Sequence, residues 1–128
     1  MKLGVLSKVG HNEQVEVTTP IFINWNNGKS RMVGDFKALN TYTIYDRYSI
    51  RSIHETSAQS SEAKSITAMD SLKGFNQNFL KDNAKKPLRI IIHCGIYEHS
   101  RMQFVIQNAP SHYQRMMNTI FPEKLSEG

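Results

Sequence analysis

The chain has 128 residues, 39% of them hydrophobic, and a formal charge of +5 at pH 7. That length holds one domain or part of one, and the balance excludes the disordered and membrane classes: a spanning helix needs about 20 consecutive apolar residues, and no run comes near it. A single cysteine, Cys94, excludes an internal disulfide, and the excess of Lys and Arg favours a polyanionic partner.

The first ten residues, MKLGVLSKVG, lack the long apolar stretch and small-residue cleavage site of a secretory leader. The expectation is an intracellular chain, in cytoplasm or nucleus, with no membrane partner. Ile21–Trp25 alternates as a strand does, Asn27-Gly28 marks a tight turn whose two central residues need positive φ, and Ser30–Phe36 resumes the extended pattern. These segments predict a hairpin. From Lys37 to Arg51 the pattern is irregular and rich in tyrosine, which reads as a connecting loop. Ile53–Lys64 predicts a weakly amphipathic, mostly exposed helix.

Ser65–Met69 reads as a short strand ending at Asp70, and Leu88–Cys94, with three consecutive isoleucines, as a strand buried on both faces. Lys81–Pro87 between them is polar and basic. After Gly95, Ile96–Phe104 reads as a returning strand of a second hairpin. The last element is a helix from about Pro110 to Phe121: Asn108 caps it, and Tyr113, Met116, Met117, Ile120 and Phe121 recur at helical spacing as core-filling residues. No repeat, linker or low-complexity tract divides the chain.

Several constellations have both a plain and a chemical reading. Asp70 at a strand end is commonly a turn former, but phosphoryl and nucleotidyl transfer need carboxylates on rigid strand ends to hold Mg²⁺, and Gly74 and Phe75 beyond it let a nucleotide sugar approach the backbone. Lys29 and Arg31 are either the charges that protect a solvated edge strand or cations that fold over a triphosphate. Lys37, Arg47, Lys81, Lys85, Lys86 and Arg89, interleaved with tyrosines, have the composition of a surface that grips a nucleic-acid backbone and stacks bases. His93, Cys94 and His99 lack the four-ligand spacing of a zinc site, and no nucleophilic triad, P-loop or dinucleotide fingerprint is present.

Three blocks, RMVGDFKALNTYTIYDRYSI (Arg31–Ile50), ITAMDSLKGFNQ (Ile66–Gln77) and MQFVIQNAPSHYQRMMNTIF (Met102–Phe121), together resemble, in order and spacing, the fingers and palm of reverse transcriptases from Ty3/gypsy-type LTR retrotransposons, especially the fungal elements. The resemblance implies an α+β fold: a fingers hairpin leading into an incomplete palm of antiparallel strands backed by helices. It makes residues 1–128 one partial reverse transcriptase domain, about 1–64 fingers-type and about 65–128 palm and fingers, starting in an early fingers helix. By match to the family's motifs, Asp70 is the first catalytic, metal-binding aspartate. Phe75 lies under the sugar and excludes a 2′-OH, Arg31 contacts the triphosphate with Lys29 nearby, and Gln77 completes a G-Y-H-Q pattern in which Asn76 replaces histidine.

The implied cofactor is Mg²⁺, and the implied partners are an RNA or DNA template–primer, a dNTP and the rest of a polyprotein. The family's Y-x-D-D hairpin, with its other two aspartates, is expected shortly after Phe121 and is not among these residues. The family's P-F-G turn reads Gln103-Phe104-Val105, which sets a β-branched residue where the backbone is expected to need an unusual φ. A chain inactive in DNA synthesis by itself is therefore expected, with a catalytically dead nucleic-acid-binding remnant and a purely structural relic as the other classes.

Overall fold

The computed structural model describes residues 4–122. In chain order it contains β1 (Leu6–Lys8), β2 (Thr19–Asn26), β3 (Lys29–Gly34), α1 (Lys37–Tyr42), α2 (Ile53–Ser60), a 3-10 turn at Gly74–Gln77, α3 (Asp82–Lys85) leading into a 3-10 turn at Lys86–Leu88, β4 (Ile90–Ile92), β5 (Gly95–His99) and α4 (Ala109–Ile120). The strands form one sheet in the order β1-β5-β4-β2-β3. This is the expected α+β class.

The first hairpin forms as its turn chemistry dictates. Asn27 and Gly28 both take positive φ, 49° and 72°, and Asn26 faces Lys29 across the turn. β4 and β5 make the second hairpin, with Ile90 opposite Tyr97 and Ile92 opposite Gly95. The two hairpins meet through a parallel pairing of Thr19 with Ile90 and Pro20 with Ile91, so the sheet is mixed and not purely antiparallel. The expected N-terminal helix is also absent among the described residues: Leu6–Lys8 is extended and pairs with β5.

The core lies on one face of the sheet, where Phe36, Leu88 and Ile90 are buried together, with Ile21, Leu39, Leu80, Tyr97, Val105 and Ile106 packed against them. Ile90, 1% exposed, is its centre. Burying one such side chain stabilises the fold by about 1.5–3 kcal/mol. Gly34 is required at the hairpin's base, since a Cβ there would lie 2.6 Å from the Phe36 ring. That ring in turn meets His99 edge-on, with centroids 6.0 Å apart.

Other expectations need correction. Lys37–Arg51 is not all loop: Phe36 is anchored in the core, its carbonyl accepts from the Asn40 amide at 2.8 Å, and α1 grows from that anchor. Ser65–Met69 forms no strand, because no neighbouring strand lies alongside to complete a ladder among the described residues, and the segment is exposed. β4 is shorter than Leu88–Cys94 and is buried on one face only, with Ile91 46% exposed. The returning strand stops at His99, after which Arg101 makes an isolated bridge to Phe79. Val105 is not among the residues of positive φ, so the valine sits without the expected backbone strain and packs towards the core.

α2 begins with a reciprocal cap: the Ser52 hydroxyl accepts from the Glu55 amide and the Glu55 carboxylate accepts from the Ser52 amide. Asn108 occupies the cap position ahead of α4 as expected, but its side chain makes no capping bond, since it is bound to the 44–46 segment instead. The α4 core residues Tyr113, Met116 and Met117 are half-buried, while Ile120 and Phe121 remain exposed.

His99 is buried with no partner for its Nδ1, and burial lowers its pKa from the ordinary 6.5 to about 4. The folded chain thus binds this proton less readily than the unfolded one. Its contribution is complete above pH 6.5 and lost as pH falls towards 4, an effect of up to about 3 kcal/mol. Urea unfolding across that window is expected to show falling stability with acidification, and His99→Leu is expected to flatten the slope.

Candidate nucleotide and nucleic-acid site

Residues two apart on a strand share a face, so Lys29, Arg31 and Val33 of β3 lie together, opposite Asn26, Asn24 and Phe22 of β2. The same face continues across the sheet through Pro20, Ile91 and Ile96, which are register neighbours. It presents an apolar stripe of Ile96, Ile91, Pro20, Phe22 and Val33 that leads outward to two exposed cations flanked by asparagine amides. This face is the one turned away from the core.

Asp70 is exposed and lines an open cleft of about 630 Å³ with Met69, Ser71, Tyr113, Gln114, Met117 and Phe121. Tyr113, Met117 and Phe121 recur every four residues, so one stripe of α4 forms the wall opposite the Asp70 segment. The 3-10 turn Gly74–Gln77 follows the Asp70 segment and packs on the same helix. Lys73 enters it in the left-handed region at φ 49°, and Gln77 Nε2 donates to the Leu72 carbonyl at 2.9 Å. Phe75 packs against Tyr113 with ring centroids 5.3 Å apart. A Cβ on Gly74 would come within 2.8 Å of the Tyr113 ring and hydroxyl, so glycine permits the turn to close on α4.

Tyr113 thus links the two: it lines the cleft with Asp70 and carries Phe75 on its ring, while Gln77 braces the turn that holds Phe75. Among the described residues no hydrogen bond or ion pair joins Lys29 or Arg31 to this cleft. Lys37 is exposed at the start of α1, its amide donating to Asp35 Oδ1 at 3.3 Å, and Arg47 is exposed on the 43–51 segment. Lys86 is exposed, but Lys85 is held by Asp82 at 2.7 Å, and that bond raises the Lys85 pKa. Arg89, expected on a surface, is 3% exposed. Its guanidinium is bound by Glu13 and Glu98 and reaches the Gln14 carbonyl, so two carboxylates already neutralise it. It is a structural cation, tying the 13–14 loop to the β4–β5 hairpin.

Mg²⁺ is the cofactor the family resemblance implies. Asp70 is the one carboxylate among the residues lining the cleft, and among the described residues no three His, Cys, Asp or Glu side chains cluster to hold a metal. A site built only of these residues does not fit the two-ion requirement of nucleotidyl transfer.

Sequence reasoning missed what fixes α4 in place. The Asp46 amide donates to Asn108 Oδ1 (3.0 Å), its carbonyl accepts from the Ser111 hydroxyl (3.1 Å) and its carboxylate accepts from Arg115 (2.8 Å). Asn118 donates to the Tyr48 hydroxyl, and Arg115 lies over the Tyr48 ring. Asn108, Ser111, Arg115 and Asn118 are three or four apart, a polar stripe at helical period that could have signalled a docked segment. Asn40 similarly clamps the 105–107 turn, donating to the Val105 carbonyl and accepting from the Gln107 amide, both at 3.0 Å.

Compared with models of protein families, the chain matches none. It is 39% identical over 97 residues, 76% of its length, to the retrovirus-related Pol polyprotein from transposon opus of Drosophila melanogaster. The corresponding protein from transposon gypsy of the same organism is 32% identical over 103 residues, 80% of this chain. The structure of the foamy viral protease-reverse transcriptase in complex with dsDNA superposes over 94% of this chain with a TM-score of 0.69 at 17% identity. The chain has a reverse transcriptase-like fold. It spans about a tenth of the length of the curated relatives it matches, and a quarter of the solved foamy viral chain. Within those described residues of this reverse transcriptase-like chain, no helix is long and apolar enough to cross a membrane.

Gly74→Ala is expected to cost about 1–3 kcal/mol by driving a methyl group into Tyr113. The same substitution in a Tyr113→Ala background is expected to cost much less, a coupling that a double-mutant cycle by urea unfolding measures.

Proposed function

We propose that the chain is a segment of the reverse transcriptase of a Ty3/gypsy-type LTR retrotransposon, of the kind found in fungal elements, and that it binds template–primer nucleic acid and an incoming dNTP. In this reading residues 1–64 are fingers and residues 65–128 are part of the palm and fingers. Arg31, assisted by Lys29, contacts the triphosphate, and bidentate guanidinium–phosphate geometry suits that task. Phe75 lies under the nucleotide sugar, held by Tyr113. Asp70 offers one carboxylate to Mg²⁺, and no step of DNA synthesis is assigned to it alone. The apolar stripe from Ile96 to Val33 stacks or packs template bases, with the charged rim binding their phosphates.

The observation that carries this reading is the cleft in which Asp70 faces the α4 stripe directly beside the Phe75–Tyr113 pair, within a fold of this class. Arg89 is left out of the interface, and Lys85 has a lesser part than Lys29, Arg31, Lys37, Arg47 and Lys86.

Fluorescence anisotropy with a primer–template duplex carrying a single-stranded overhang tests it. Binding is expected to weaken steeply with salt, and Arg31→Ala is expected to weaken it several-fold. Arg89→Met is expected to lower stability while leaving the affinity of the folded protein unchanged. Salt-insensitive or undetectable binding would leave only a structural relic. Magnesium-dependent primer extension by the pure chain, abolished in Asp70→Ala, would contradict its inactivity in isolation.

A further inference from the structure

β3 ends the sheet, and its outer edge has no strand partner among the described residues. In a two-residue hairpin the residues flanking the turn exchange both backbone bonds, and bonded pairs then alternate with non-bonded ones. Lys29, Arg31 and Val33 therefore turn their amides and carbonyls towards β2, and the bond from the Asp35 amide to the Pro20 carbonyl at 2.9 Å continues the series. Ser30, Met32 and Gly34 turn theirs outward. On the face opposite Arg31, Ile23, Trp25 and Met32 are exposed by 58%, 70% and 42%. The result is an open edge bordered by an apolar strip, the combination that invites another strand.

We propose that β3 pairs antiparallel with β3 of a second copy of this chain, about a two-fold axis at Met32. Charge selects both the occupant and the register. With Met32 opposite Met32, Ser30 faces Gly34, Arg31 faces Val33, and Lys29 faces Asp35 at both ends. Moving the register towards the hairpin tip sets Arg31 against Arg31. Moving it the other way sets Arg31 against Asp35 but also Lys29 against Lys37, and leaves only Met32 to Gly34 paired within β3. The Met32-centred pairing is the one of the three that faces opposite charges at both ends with no like-charge pair, and it keeps Ser30 to Gly34 of both copies in the ladder.

This register allows about six new backbone hydrogen bonds. It also joins the Ile23, Trp25 and Met32 strips of the two copies into one band. The buried area is on the order of 1,000 Å², at the low end for specific interfaces, so association in the micromolar range or weaker is expected. The side chains of Lys29 and Arg31 stay on the other face, and the pairing does not depend on nucleic-acid binding.

Sedimentation equilibrium of the full chain without nucleic acid tests it. A concentration-dependent dimer is expected. Met32→Pro removes an outward amide at an edge position where proline is tolerated, and is expected to leave a monomer. Should Met32→Pro lose its circular dichroism, Lys29→Glu, on the exposed hairpin tip, carries the test: it sets glutamate against Asp35 and is expected to weaken association at least tenfold. Adding Asp35→Lys is expected to restore it. A monomer at every concentration, or association unchanged by Lys29→Glu, would overturn the proposal.

Discussion

Two residue pairs hold the first hairpin to the rest of the sheet: Thr19 beside Ile90 and Pro20 beside Ile91. The Thr19 amide donates to the Arg89 carbonyl at 2.8 Å just ahead of them, and the joint includes the largest of the fully buried side chains, Ile90. The hairpin beyond Ile21, including Lys29 and Arg31, projects outward from this short seam and the core contacts of Ile21 and Phe36. The sheet's two faces are committed there. Ile90, Tyr97 and Ile21 turn inward to meet Phe36 and Leu88, while Ile91, Pro20 and Phe22 turn outward. On the outer side the seam is guarded by Arg89, whose bonds to Glu13 and Glu98 tie a loop to the second hairpin. Removing one of those carboxylates would leave a nearly buried cation under-compensated.

α4 performs the corresponding task for the second half of the site. Three of its faces are used at once: Asn108, Ser111, Arg115 and Asn118 hold the 44–48 segment, Ala109 and Ser111 are buried, and Tyr113, Met117 and Phe121 face the Asp70 cleft. A displacement of α4 would therefore disturb Phe75 through Tyr113 and the tyrosine-rich segment through Asp46. The cleft's geometry rests on a helix rather than on the extended run that carries Asp70, which has no ladder to stiffen it among the described residues.

What could be read from the sequence was what is decided locally. Asn27-Gly28 specified the hairpin because φ at those two residues has few alternatives, and the spacing of Tyr113, Met116 and Met117 specified α4. Asp70, Phe75 and Gln77 were singled out through their block; Asp70 lines a cleft with Tyr113, Phe75 packs on that tyrosine, and Gln77 bonds back to Leu72. The failures share a cause. The α1 helix depends on Phe36 being buried by distant elements, and the burial of Arg89 depends on Glu13, 76 residues away. The latch at Asp46 joins residues more than 60 apart. Ser65–Met69 has strand-like composition, but a strand is a relation between segments and no single segment can supply it.

In the proposed function, the outer sheet face and the Asp70 cleft together bind nucleic acid. Amide chemical-shift mapping with a primer–template duplex tests it most directly. Shifts are expected to concentrate at Phe22, Arg31 and Val33 on the sheet and at Asp70, Phe75 and Tyr113 around the cleft, with the amides near Arg89 unmoved. Shifts confined to the Lys81–Arg89 segment, or spread evenly over all exposed lysines and arginines, would contradict it.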